Sequence, residues 1–150
     1  MNKEALENLV NIRKLHHEAT DTSEVNGLIQ SGSIRLQDAQ LESLSLESRF
    51  DLTYNAAHAL SLAALRHLGY RSDNRYLVFQ CLQHTLDLPS AKWRILDQAH
   101  RKRNLAEYEG LVDVVEYFTV LAQLHPDLQS RAHTHTAVHQ TAASAGGTAR

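Results

Sequence analysis

Cysteine is nearly absent: Cys81 is the only one in 150 residues. That excludes an intramolecular disulfide and any cysteine-based metal cluster. Set beside Leu77, Val78 and Leu82, the thiol reads as a small buried hydrophobe. Only two prolines and six glycines break the chain, and β-branched alternation persists nowhere. Both scarcities point to an all-α fold. No apolar run approaches the roughly 18–20 residues that span a bilayer. The opening Met1-Asn2-Lys3-Glu4 carries no hydrophobic leader, so the expectation is a cytoplasmic protein with no membrane contact. A large excess of one charge is missing too. The formal net charge of −2 argues against a surface that holds nucleic acid by overall basicity. It leaves room for a local patch, and Arg94, His100, Arg101, Lys102 and Arg103 form one.

What is present begins with hydrophobic residues at 43%, enough for one domain with a real core at this length. A first helix is predicted over about Asn2–His17, with Leu6, Leu9, Ile12 or Arg13, and His16 to one side. Asp21-Thr22-Ser23-Glu24 supplies cap residues for a short second helix, which the turn signal Ser31-Gly32-Ser33 ends. A further short helical piece covers Ile34–Leu41. The central helix is Leu46–Leu68, apolar nearly all round and rich in alanine, with Gly69 in the left-handed terminating position. Ser72-Asp73 starts a helix bearing Tyr76, Phe79, Leu82 and Leu86, and Pro89-Ser90 opens the next. Gly110 closes that one. A last amphipathic helix carries Leu111, Val114, Val115, Phe118 and Leu121 and stops at Pro126. The expected architecture is an all-α, antiparallel bundle of four main helices with short N-terminal helices. Residues 1–129 form one domain in this reading, and the Thr/Ala/His/Gly-rich 130–150 a disordered tail.

Ten histidines are many, yet none sits at the spacing of a metal motif, so no metal and no cofactor is expected. His58 on the central helix reads as a core or interface histidine, and Trp93 as an anchor for the core or for a dimer contact. The richest segment is Arg103-Asn104-Leu105-Ala106-Glu107-Tyr108-Glu109-Gly110. Trp93, Leu96, Ala99 and His100 lead into it at helical spacing, so an apolar stripe turns into an Arg/His/Glu cluster. Such a stripe has reached either solvent, with Arg103 paired to Glu107 at i,i+4, or a polar site.

Tyr54-Asn55-Ala56-Ala57-His58-Ala59-Leu60 and Leu65-Arg66-His67-Leu68-Gly69-Tyr70, followed by Arg103-Asn104-Leu105-Ala106-Glu107-Tyr108, resemble the central helix and closing motif of HEPN-domain proteins. The resemblance spans roughly Leu46–Leu128 and implies a compact, commonly homodimeric helical bundle. It also implies work in toxin–antitoxin or other prokaryotic defence systems, often beside a nucleotidyltransferase-type partner protein. Active members cut RNA with an Arg and a His four to six residues later, in a cleft at the dimer interface. Arg103 matches the Arg and Asn104 the polar residue that follows it. The His positions are held here by Tyr108, Glu109 and Gly110. A tyrosine, with a pKa near 10, is a poor general base at neutral pH. His100, three residues before Arg103, is the candidate substitute.

Three readings stand at this point. The first is a non-catalytic or weakly active dimeric HEPN-type module binding a partner protein, a nucleotide or RNA through Arg101, Lys102, Arg103 and Asn104. The second is a metal-independent endoribonuclease toxin using Arg103 with His100 or Tyr108. The third is a generic helical interaction protein.

Overall fold

The computed structural model describes the backbone of residues 1–105, with the side chains of residues 1–99 and Arg101. Six helices and one two-stranded ladder follow in the order α1 (Lys3–Asn11), β1 (His16–His17), α2 (Thr22–Asp38), α3 (Leu46–His67), β2 (Tyr70–Arg71), α4 (Arg75–Gln80), α5 (Leu82–Thr85) and α6 (Ser90–Leu105). The class is all-α, as expected. The expected last helix over 111–125 and the tail 130–150 lie outside the described residues.

α3 is the central element. Ser45 caps it, its Oγ accepting the Ser48 N–H at 3.1 Å. Residues on every side of it are buried, among them Tyr54, Ala57, Leu60, Ala63 and Leu65. Gly69 ends the segment at φ +83°, the left-handed conformation that glycine adopts without a Cβ penalty. One apolar cluster gathers Val25 and Ile29 from α2, Phe50, Tyr54 and Leu60 from α3, Phe79, and Trp93, Leu96 and Ala99 from α6. A second, smaller cluster joins Leu6, Leu15, Leu65, Tyr70, Leu77, Val78 and Cys81. Trp93 is therefore a core anchor, and Cys81 is buried as expected.

Three expectations are corrected. The Ser31-Gly32-Ser33 turn does not form, because α2 runs unbroken from Thr22 to Asp38. The three residues are absorbed by local bonding and by packing. Ser33 Oγ donates back to the Ile29 carbonyl at 2.8 Å, and the Arg35 guanidinium bonds the Ser31 hydroxyl and carbonyl. Gly32 lets α2 meet α3 closely, since a Cβ there would stand 2.7 Å from Leu60 Cγ.

The first helix stops at Asn11, not His17. Arg13 takes φ +60°; its N–H reaches the Val10 carbonyl at 2.9 Å and the Lys14 N–H reaches that of Leu9 at 2.9 Å. This is the Schellman arrangement, with arginine where glycine is usual. The reversal drops Leu15 into the second cluster and lays His16–His17 antiparallel to Tyr70–Arg71, with His16 opposite Arg71 and His17 opposite Tyr70.

The helix expected from Ser72 to Leu86 is two short ones. Asn74 caps α4 by accepting the Leu77 N–H at 3.2 Å, while Ser72 Oγ accepts the Asn74 N–H. The hydrogen-bond ladder breaks at Cys81 before α5.

Candidate functional site

α6 places the basic residues that the sequence singles out. Its Trp93, Leu96 and Ala99 face the core, and Arg94, Gln98 and Arg101 form an exposed stripe at i, i+4, i+7. Arg94 lies over the Trp93 ring, Cζ to centroid 5.7 Å. The Arg101 guanidinium reaches Asp97 Oδ2 at 3.4 Å one turn back. Asp97 is 5% exposed, and its Oδ1 has no hydrogen-bond partner among the described residues. The helical backbone continues through His100, Lys102, Arg103 and Asn104, so the four belong to one element. Tyr108, and with it the Arg103–Glu107 pairing, lies outside the described residues.

At the C-terminal end of α3 stands a polar cluster that sequence reasoning passed over. Arg66 is 1% exposed, yet each of its three nitrogens finds an acceptor. Nε donates to Glu24 Oε2 at 3.0 Å; Nη1 donates to the Glu18 carbonyl at 3.0 Å and that of Tyr70 at 3.4 Å; Nη2 donates to the Ala19 carbonyl at 2.7 Å. Nη2 also lies 3.3 Å from Glu18 Oε2. Arg71 bridges the same two carboxylates from outside. In return Thr20 Oγ1 donates to the carbonyls of Arg66 and His67 at the end of α3, the former also accepting the Gly69 N–H at 3.1 Å. Beside this lies a second group. The Tyr70 hydroxyl donates to Glu7 Oε1 at 2.5 Å, and His17 Nε2 lies 3.2 Å from Glu7 Oε2 with its ring 5.1 Å from that of Tyr70. The Tyr70 hydrogen bond holds the Glu7 carboxyl below its usual range, as the Arg71 hydrogen bond does for Glu18. Burial, then the bonded Glu7, pushes the Tyr70 phenol up to about 12. The Arg66 and Arg71 guanidiniums meet the Glu18 and Glu24 carboxylates, so the cluster is a clamp joining the 18–20 loop and β2 to α3.

A further feature is a cleft of about 360 Å³ between the α1–β1 turn and α4, with Arg13, Lys14 and His16 on one wall and Asp73, Asn74 and Tyr76 on the other. A signal for it stands in the sequence: Arg13-Lys14 ends a helix that has no terminal glycine.

Two other candidates have structural roles. His58 is half-buried with its ring edge-on to Phe79, centroids 6.2 Å apart. Burial pushes the Cys81 thiol up to about 12, far from the thiolate that nucleophilic chemistry needs. Among the described residues no three His, Cys, Asp or Glu side chains converge as metal ligands. No helix among them is long and apolar enough to cross a membrane.

The described residues thus define an all-α domain with a basic helix stripe, a polar clamp and a small basic cleft. No protein-family model, curated protein or solved structure matches this chain.

Proposed function

We propose that this chain is a non-catalytic, dimeric binding module of the HEPN type that engages RNA through the basic end of α6. The supporting observation is the exposed stripe Arg94, Gln98 and Arg101, which leads directly into Lys102, Arg103 and Asn104 on the same helix. Arg94 and Arg101 stand two turns, about 10 Å, apart along the axis. Each guanidinium already has one contact, with the Trp93 ring and with Asp97, which restrains the side chain and lowers the entropy lost when a phosphate is bound. The residues at the family's histidine positions, Tyr108, Glu109 and Gly110, support binding without cleavage. A toxin–antitoxin or defence role beside a nucleotidyltransferase-type partner belongs to the same proposal.

The test is labelled single-stranded RNA titrated with the full chain across a salt series, beside the double variant Arg94→Ala/Arg101→Ala. Binding should weaken with salt, and the variant should lower the slope of log K against log salt by about 1.4, two phosphate contacts at about 0.7 each. An unchanged slope, or no binding, would leave a generic helical interaction protein. The same protein incubated with an RNA pool without metal should leave it intact. Cleavage that leaves 2′,3′-cyclic phosphates and disappears in Arg103→Ala would establish the endoribonuclease instead, with His100→Ala and Tyr108→Phe deciding its second group. Light scattering on the eluting protein checks the dimer.

A further inference from the structure

We propose that the cleft between the α1–β1 turn and α4 binds a small phosphate monoester carrying ring hydroxyls, a nucleotide or sugar phosphate, and that Arg13 is kept in a left-handed conformation for that purpose. Arg13 and Lys14 are exposed and make no ion pair with a described residue. Both line the cleft, with His16 beside them. Two unmatched cations and an imidazole on one wall of a concave site are a receptor for a compact dianion. The facing wall is of different character. Asp73 offers a carboxylate that accepts from hydroxyls, Asn74 an amide whose oxygen is already bound to the Leu77 N–H, and Tyr76 a ring. A free inorganic anion gains nothing from that wall; a phosphorylated ring compound uses both. The volume of about 360 Å³ is near the lower end of ligand sites and fits one nucleotide or less.

The backbone supplies an independent argument. Arg13 occupies the terminating position of α1 at φ +60°, where a side chain crowds the following carbonyl and glycine avoids it. The chain does use glycine for the equivalent position after α3, at Gly69. An arginine at φ +60° is backbone strain beside a cleft, the pairing expected where a side chain is placed for a ligand. Ladder pairing of β1 with β2 and the anchoring of Leu15 in the core fix the turn that carries it.

Arg13→Gly separates the two roles. With AMP and ribose 5-phosphate as probes in calorimetric titrations of the full chain, wild-type protein should bind both, and adenosine more than tenfold more weakly. Arg13→Gly should raise the urea midpoint, since the strain is gone, yet weaken AMP binding at least fivefold. Lys14→Gln should weaken it similarly with the midpoint unchanged. Absence of AMP and ribose 5-phosphate binding to wild type at millimolar concentration overturns the proposal, as do adenosine binding as well as AMP and unaltered AMP affinity in Arg13→Gly. Arg94→Ala/Arg101→Ala should leave AMP binding intact, which keeps this result distinct from the outcome for RNA.

Discussion

Two regions grip the central helix by opposite means. Along its middle, α3 meets α2 through apolar residues and one missing side chain, Gly32 against Leu60. At its C-terminal end it is held by a buried guanidinium that donates to two carboxylates and three backbone carbonyls. The first contact depends on shape and the second on complete hydrogen-bond satisfaction, so they should fail differently. A shape contact yields in proportion to the volume added or removed. A satisfied polar cluster fails at once when one member is lost, because its other members stay behind without partners.

The largest effect is therefore expected at Arg66. Arg66→Met keeps much of the volume but leaves the Glu18, Ala19 and Tyr70 carbonyls and Glu24 Oε2 without their donor, while Arg71 still holds Glu24 Oε1. The loss should be about 3 kcal/mol, since each buried acceptor left without a donor costs about 1–3 kcal/mol, while the partly exposed carboxylates keep Arg71. Arg66→Lys should recover little, since an ammonium has three donors and cannot reproduce the planar fork. Urea denaturation measures both. A loss below about 1 kcal/mol for Arg66→Met would mean that the 18–20 loop rehydrates freely and that the clamp contributes no more than a surface pair.

The apolar contact can be probed by two glycines of one helix. A Cβ at Gly32 would lie 2.7 Å from Leu60 Cγ and 2.9 Å from Cδ2, and Leu60 is wholly buried. A Cβ at Gly27 meets nothing within 4 Å. Helix propensity favours alanine over glycine by about 1 kcal/mol at both. Gly27→Ala should then stabilise by roughly that amount. At Gly32 overpacking of about 1–3 kcal/mol offsets the same gain, for a net loss of about 1 kcal/mol, larger for Gly32→Val. Stabilisation by Gly32→Ala equal to that by Gly27→Ala would refute a tight α2–α3 approach. Leu60→Ala in the Gly32→Ala background should couple favourably in a double-mutant cycle.

The same two regions mark how far the sequence is legible. The helical period and the alanine-rich surface of Leu46–His67 identify α3 and its central place without any structure. Gly69 is equally readable, because glycine after a periodic run has one main use. Gly32 misleads for the converse reason. Ser-Gly-Ser is turn chemistry in isolation, and only the neighbouring Leu60 makes glycine the residue that lets a helix continue. Arg66 is invisible because its partners lie 42–48 residues away, apart from Tyr70. The two-residue ladder is too short to carry any alternation. As for the candidate site, the basic residues of α6 are legible as a run in the sequence, whereas the cleft needs Arg13 and Asp73 brought together across sixty residues of chain.

The smallest expected effect tests the outer edge of the polar region, where Glu7, Glu18 and Tyr70 titrate. Glu7 and Glu18 have folded pKa values below their unfolded ones, so each contributes stability above the unfolded value near 4.3 and loses it as pH falls through the folded value. Tyr70 runs the other way. Its phenol is pushed up to about 12 against about 10 unfolded, so its contribution is complete below pH 10 and is lost as pH rises through 12. Stability should fall on both sides, as pH drops below the unfolded carboxylate range and as it rises from about 10 to 12. Glu7 and Glu18 are partly exposed, so the acid fall should be shallow beside the loss from Arg66→Met. Urea midpoints against pH for wild type, Glu7→Gln and Tyr70→Phe decide it. Glu7→Gln should flatten the acid limb, and Tyr70→Phe the alkaline one. Equal slopes in all three proteins would mean that the Tyr70–Glu7 hydrogen bond contributes nothing, and that the clamp ends at Arg66 and Arg71.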